Sequence, residues 1–137
     1  MLTAVDTPVL LDVFGADPHH GATSSAALNL ALAEGGVIAC EVVWAETRAL
    51  FPSETALLQA MSTVGIGYSA LNQEAALMAG AMWQKYRETG GKRSRMVADF
   101  MIASHASRQC DRLLTRDRGF YRDYFKGLKL LDPANIK

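Results

Sequence analysis

The feature that most limits the fold is a series of very short apolar runs separated by stretches of helical periodicity. Leu2–Val5, Val37–Cys40, Ile66–Tyr68, Leu113–Thr115 and Leu128–Leu131 each suit one buried strand of a few residues. The intervening segments place apolar residues at helical spacing, as in Val9–Phe14, Ser24–Glu34, Glu41–Phe51, Ser53–Val64, Asn72–Arg87 and Val97–Gln109. Strands alternating with helices imply an α/β fold with a short, mostly parallel sheet of four to five strands, covered on both faces because right-handed crossovers put the helices there. Turn-forming residues punctuate the series: Gly15 to Gly21, with Pro18, breaks the first helix, Gly35-Gly36 the second, and Gly90-Gly91 the long one. Thr7 is expected to cap the first helix, with Pro8 at its first position.

A length of 137 residues suits a single domain spanning 1–137, and a chain half apolar and one-fifth charged can bury a core. The early Asp6 and the lack of a cationic leader argue against a secretory signal, and no apolar run is long enough for a membrane span, so a cytoplasmic protein is expected. Cys40 and Cys110 show no metal-ligand or redox spacing and read as small apolar residues. Net charge is zero, yet between Lys92 and Arg122 eight basic residues face three acids. That segment suits a phosphate backbone, and it equally suits a solvated helix face with scattered arginines.

Four acids stand out by position. Asp6 and Asp117 each follow a short strand, Glu46 lies in the helix after the second strand, and Asp99 falls in the first turn of the Val97–Gln109 helix. In parallel sheets the ligand crevice lies beyond the carboxyl ends of the strands. Carboxylates gathered there repel one another, and a divalent cation resolves the repulsion. Magnesium takes hard oxygen ligands and keeps several waters, so a few Asp and Glu side chains open to substrate suit it. His19 and His20 share a loop and His105 stands alone, which disfavours zinc. Singly, each acid also has a duller role. Asp6 can end a strand, Asp99 favour a helix N-terminus, Asp117 form a turn and Glu46 pair with Arg48. No phosphate-binding glycine loop, dinucleotide turn or nucleophile–histidine motif accompanies them.

Taken in order, Val5-Asp6-Thr7-Pro8-Val9-Leu10-Leu11, Val42-Val43-Trp44-Ala45-Glu46, Ala98-Asp99-Phe100-Met101-Ile102-Ala103 and Leu114-Thr115-Arg116-Asp117 resemble the four acidic motifs of PIN domains, across nearly the whole chain. The resemblance is to VapC-type toxins and implies a PIN-like three-layer sandwich. It also implies a magnesium- or manganese-dependent endoribonuclease whose metal pocket is Asp6, Glu46, Asp99 and Asp117. Thr115 matches the Ser or Thr that precedes the last acid, and Thr7 is the other supporting residue. Lys92, Arg93, Arg95 and Arg116 are the expected RNA contacts, and a homodimer and a cognate antitoxin the expected protein partners. Glu41 has no assigned family role, and Asp12 reads as a surface acid or a neighbour of the site. Phe120, Tyr121, Tyr124 and Phe125 suit core packing or a dimer surface, with base stacking as the alternative. Two further functions are compatible with the residues: a PIN-fold binding module without catalysis, and a metal-dependent phosphatase, for which Asp6-Thr7-Pro8 lacks an Asp-x-Asp nucleophile motif.

Overall fold

The computed structural model describes residues 1–91 and 95–136. Five strands, β1 (Thr3–Val5), β2 (Val37–Ala39), β3 (Ile66–Tyr68), β4 (Arg112–Leu114) and β5 (Leu130–Leu131), form one sheet in the order β3-β2-β1-β4-β5, and every pairing is parallel. Among the described residues there are seven α-helices: α1 (Thr7–Phe14), α2 (Gly21–Glu34), α3 (Glu41–Arg48), α4 (Glu54–Val64), α5 (Gln73–Glu88), α6 (Val97–Gln109) and α7 (Arg118–Tyr124). From β1 the chain steps through β2 to β3 on one side, then crosses back to β4 and β5 on the other. Right-handed connections therefore put α1 to α4 on one face and α5 to α7 on the other, giving the expected three layers. The order reverses between β1 and β4, so the crevice that this topology creates lies at their carboxyl ends.

Several local expectations hold to the residue. Ser53 caps α4 by accepting from Ala56 N, Asn72 caps α5 by accepting from Ala75 N, and α6 spans Val97–Gln109. Other boundaries differ: α3 stops at Arg48 rather than Phe51, β4 begins one residue early, β5 is shorter, and the starts of α1 and α2 shift for local reasons. Asp6, not Thr7, caps α1, because its carboxylate accepts from Thr7 N at 2.9 Å while its backbone is extended, and Pro8 then lies one residue further into the first turn. Helix α2 starts at Gly21 rather than Ser24. Asp17 takes the backbone N–H groups of His19 and His20, closing a turn that launches the helix early.

Helix α7 is not foreshadowed by apolar periodicity and owes its existence to packing. Phe120 and Tyr124 contact both Tyr86 of α5 and Phe100 of α6 edge-on or tilted, and Phe125 packs on Phe100. The aromatic segment is thus core and core rim, with Tyr121 and Phe125 buried. Helices α5 and α6 lie antiparallel: Asn72 N meets Gln109 Oε1 at one end, and Tyr86 meets Phe100 at the other. The link between β3 and α5 is held down by Glu41, whose carboxylate accepts from Leu71 N, and by His105, whose Nε2 lies 3.0 Å from Ser69 Oγ. Burial lowers the His105 pKa, which favours the neutral ring.

Phe100 joins three helices through one fully buried ring. Phe100→Ala should cost about 3–5 kcal/mol in chemical denaturation, whereas Phe120→Ala, at the cluster's rim, should cost less. Equal losses would show that the cluster is not organised around Phe100.

Candidate functional site

The site begins with strand register. Val5 of β1 lies opposite Leu114 of β4, and the next step along the ladder is Asp6 N donating to Leu114 O at 2.9 Å. Asp6 and Thr115 therefore leave the sheet side by side. Thr115 Oγ1 donates to Asp6 Oδ2 at 2.8 Å, and Asp117 N donates to Thr115 Oγ1 at 3.0 Å, so one hydroxyl ties the first and last acids together. Asp6 Oδ1 is taken by Thr7 N. Thr7 Oγ1 in turn donates to Glu46 Oε1 at 2.6 Å, drawing the exposed Glu46 of α3 towards the same edge. Asp99 sits at the third position of α6 and accepts from Met96 N at 3.1 Å, which fixes its carboxyl at the N-terminal end of that helix.

These groups also act on one another electrostatically. Asp6 is 3 % exposed, and burial, opposed by the Thr115 and Thr7 hydrogen bonds and assisted by the charges of Asp99 and Asp117, raises its pKa to about 6. Tyr121, buried beneath, has its phenol pushed well above its ordinary pKa by burial and by the same three carboxylates. The counter-charge inside the site is Arg95. Its Nη1 lies 2.5 Å from Asp117 Oδ2, and its guanidinium stacks over the Phe120 ring, 4.0 Å from the centroid.

Thr7 and Thr115 thus link Asp6, Glu46 and the Asp117 backbone, and the charges of Asp99 and Asp117 act on Asp6. Among the described residues no three acidic, histidine or cysteine side chains form a closed ligand set. The charges of Asp99 and Asp117 bear on Asp6, while hydroxyls take one oxygen each of Asp6 and Glu46 and the Arg95 guanidinium takes one of Asp117. An open, all-oxygen arrangement of this kind fits a hard divalent cation that retains several waters. Of the expected RNA contacts, Lys92 and Arg93 lie outside the described residues, Arg95 rests on Asp117, and Arg116 is engaged by Asp12. Sequence reasoning missed Tyr121 as part of the site and Arg95 as partner of Asp117. The spacing of Arg95 from Asp99 carried a hint, since both lie at the start of α6. Glu41 is occupied by the Leu71 backbone, and both cysteines are free, with burial raising Cys40 and pushing Cys110 up to about 12.

With that geometry in view, the comparisons with known proteins are consistent. Residues 3–126 match the PIN domain family. The chain belongs to the PIN domain family. No curated protein sequence matches it. Among solved structures, this PIN domain is similar to a chain of VapBC-1 from nontypeable Haemophilus influenzae, with TM-score 0.74, 14 % identity and coverage of 98 % of this chain and 100 % of that one. It is similar also to a chain of VapBC2 from Rickettsia felis, bound to a DNA fragment from their promoter, with TM-score 0.73, 14 % identity and coverage of 96 % and 98 %. A toxin–antitoxin complex from Klebsiella pneumoniae gives 0.69, 19 % identity and coverage of 98 % and 99 %. At these identities the likeness establishes the fold. No helix among the described residues is long and apolar enough to cross a membrane.

The raised pKa of Asp6 makes a signed prediction. The carboxyl ionises near pH 4 when unfolded and near pH 6 when folded, so in chelator folding stability should fall as pH rises through that window, by on the order of a few kcal/mol. Asp6→Asn keeps the cap acceptor and removes the charge. It should therefore be more stable than the parent at pH 7.5 in chelator and lose that advantage below pH 4, which denaturant titrations across pH would reveal.

Proposed function

We propose that this PIN domain is a magnesium- or manganese-dependent endoribonuclease, the toxin of a toxin–antitoxin module, hydrolysing RNA phosphodiester bonds. What supports the reading most is that buried Asp6 feels the charges of Asp99 and Asp117, while Thr7, at the start of the helix that Asp6 caps, donates to Glu46. A divalent cation supplies, when bound, a lowered pKa for a coordinated water and neutralisation of phosphate charge. Asp6, Glu46, Asp99 and Asp117 would hold it.

The chain's own groups do the rest. Thr115 and Thr7 N fix both oxygens of Asp6, so its orientation costs nothing to acquire when substrate arrives. The Thr7 hydroxyl aims Glu46, and the Met96 amide fixes Asp99. Arg95, on the rim beside Asp117, and the adjacent Lys92 and Arg93 supply positive charge for the RNA backbone. The likeness to chains of toxin–antitoxin complexes supports a cognate antitoxin as protein partner, and the PIN resemblance supports a homodimer.

Purified chain incubated with single-stranded RNA should cleave it with magnesium or manganese and stop with chelator, and Asp99→Asn should lower kcat by about a hundredfold or more. Cleavage in chelator, or full activity of Asp99→Asn, would refute the reading. Neutralising Lys92, Arg93 and Arg95 together should weaken RNA binding and flatten its dependence on salt, each removed phosphate contact lowering the slope by about one, without loss of manganous-ion affinity. An unchanged slope would take that segment out of the RNA interface.

A further inference from the structure

The basic residue next to Asp117 turns inward. Arg116 Nε donates to Asp12 Oδ2 at 2.9 Å and Nη2 to Asp12 Oδ1 at 3.2 Å, a two-pronged contact. Asp12 lies on α1, the helix that Asp6 caps, and is only 4 % exposed. Ser24 Oγ, on α2, donates to the same Oδ2 at 2.8 Å. A buried carboxylate with three such donors is a fixed point, because losing its cation leaves an uncompensated charge. Arg116, by contrast, is 38 % exposed, with its charged end directed into the protein rather than along the surface.

Three consecutive residues are consequently anchored to separate partners: Thr115 to Asp6, Arg116 to Asp12 and Asp117 to Arg95. Thr115 alone leaves rotation about the following backbone bonds open, and the planar guanidinium fork removes that freedom by gripping both carboxylate oxygens. We propose that Asp12 and Arg116 are positioning residues that set the backbone between Thr115 and Asp117, so that the Asp117 carboxyl faces Asp6 and Asp99. On this account Arg116 is not a phosphate contact. The inference rests on the metal-dependent reading above.

The test measures manganous-ion affinity of the full chain by calorimetry or electron paramagnetic resonance. The variants are Arg116→Met, Arg116→Lys, Asp12→Asn and the double Asp12→Asn/Arg116→Met, with Asp6→Asn as control. Arg116→Met and Asp12→Asn should each weaken binding about tenfold or more and lower kcat on RNA by a similar factor, with KM essentially unchanged. The double variant should be no worse than either single one, since both remove one interaction. Arg116→Lys keeps the charge but not the fork, so it should recover stability before it recovers metal affinity. RNA affinity in chelator and its salt slope should not move.

Folded variants with lower melting temperature and intact metal affinity would reduce the pair to a structural clamp and overturn the proposal. A weakened RNA affinity with a shallower salt slope would overturn it in favour of a phosphate contact. Where a single variant fails to fold because one charge is stranded, the double, which strands none, supplies the comparison. A parent protein without manganous-ion binding sensitive to Asp6→Asn would overturn the nuclease reading and this one with it, an outcome distinct from failure of the Arg116 variants alone.

Discussion

The parallel pairing of β1 with β4 is the contact on which the rest of the molecule depends. Because Val5 stands opposite Leu114, the two chains leave the sheet in step, and the residues that follow, Asp6 and Thr115, meet within hydrogen-bond distance. A slip of one residue would send the Asp6 side chain to the other face of the sheet and break the link to Thr115. The reversal of strand order at this pair opens the crevice, and the same pair furnishes its first and last acids.

The crevice holds an electrostatic tension that the fold offsets only in part. Asp6 is buried among like charges, and its two hydrogen bonds do not return its pKa to the ordinary range. Arg95 neutralises Asp117 from the rim, and Arg116, one residue away, neutralises Asp12 instead. Asp117 and Asp12 thus each have a guanidinium of their own, while Asp6 is met by the Thr115 hydroxyl and the Thr7 amide.

Much of this was legible in the sequence. Short apolar runs alternating with helical periodicity sufficed for a parallel sheet in three layers, and the caps Ser53 and Asn72 were readable because their side-chain chemistry is local. Asp6 and Asp117 could be placed at strand ends, Asp99 at a helix start and Glu46 within a helix for the same reason. What lay beyond reach was set by distant contacts. Helix α7 forms because its aromatics find Tyr86 and Phe100, which are far away in the chain. The inward turn of Arg116 depends on Asp12, separated from it by most of the sequence, and a run of basic residues carries no sign of which ones have buried partners. Asp6 displaced Thr7 as the cap because one carboxylate serves both the helix start and the site, a double duty that cap preference alone does not reveal.

Tyr121 is buried next to the acid cluster, and burial together with the charges of Asp6, Asp99 and Asp117 pushes its phenol well above its ordinary pKa. The phenol beside those acids therefore favours its neutral form. Asp6, by contrast, has its carboxyl raised to about 6, which brings the proton equilibrium of one buried acid at the seam of two strands close to neutrality.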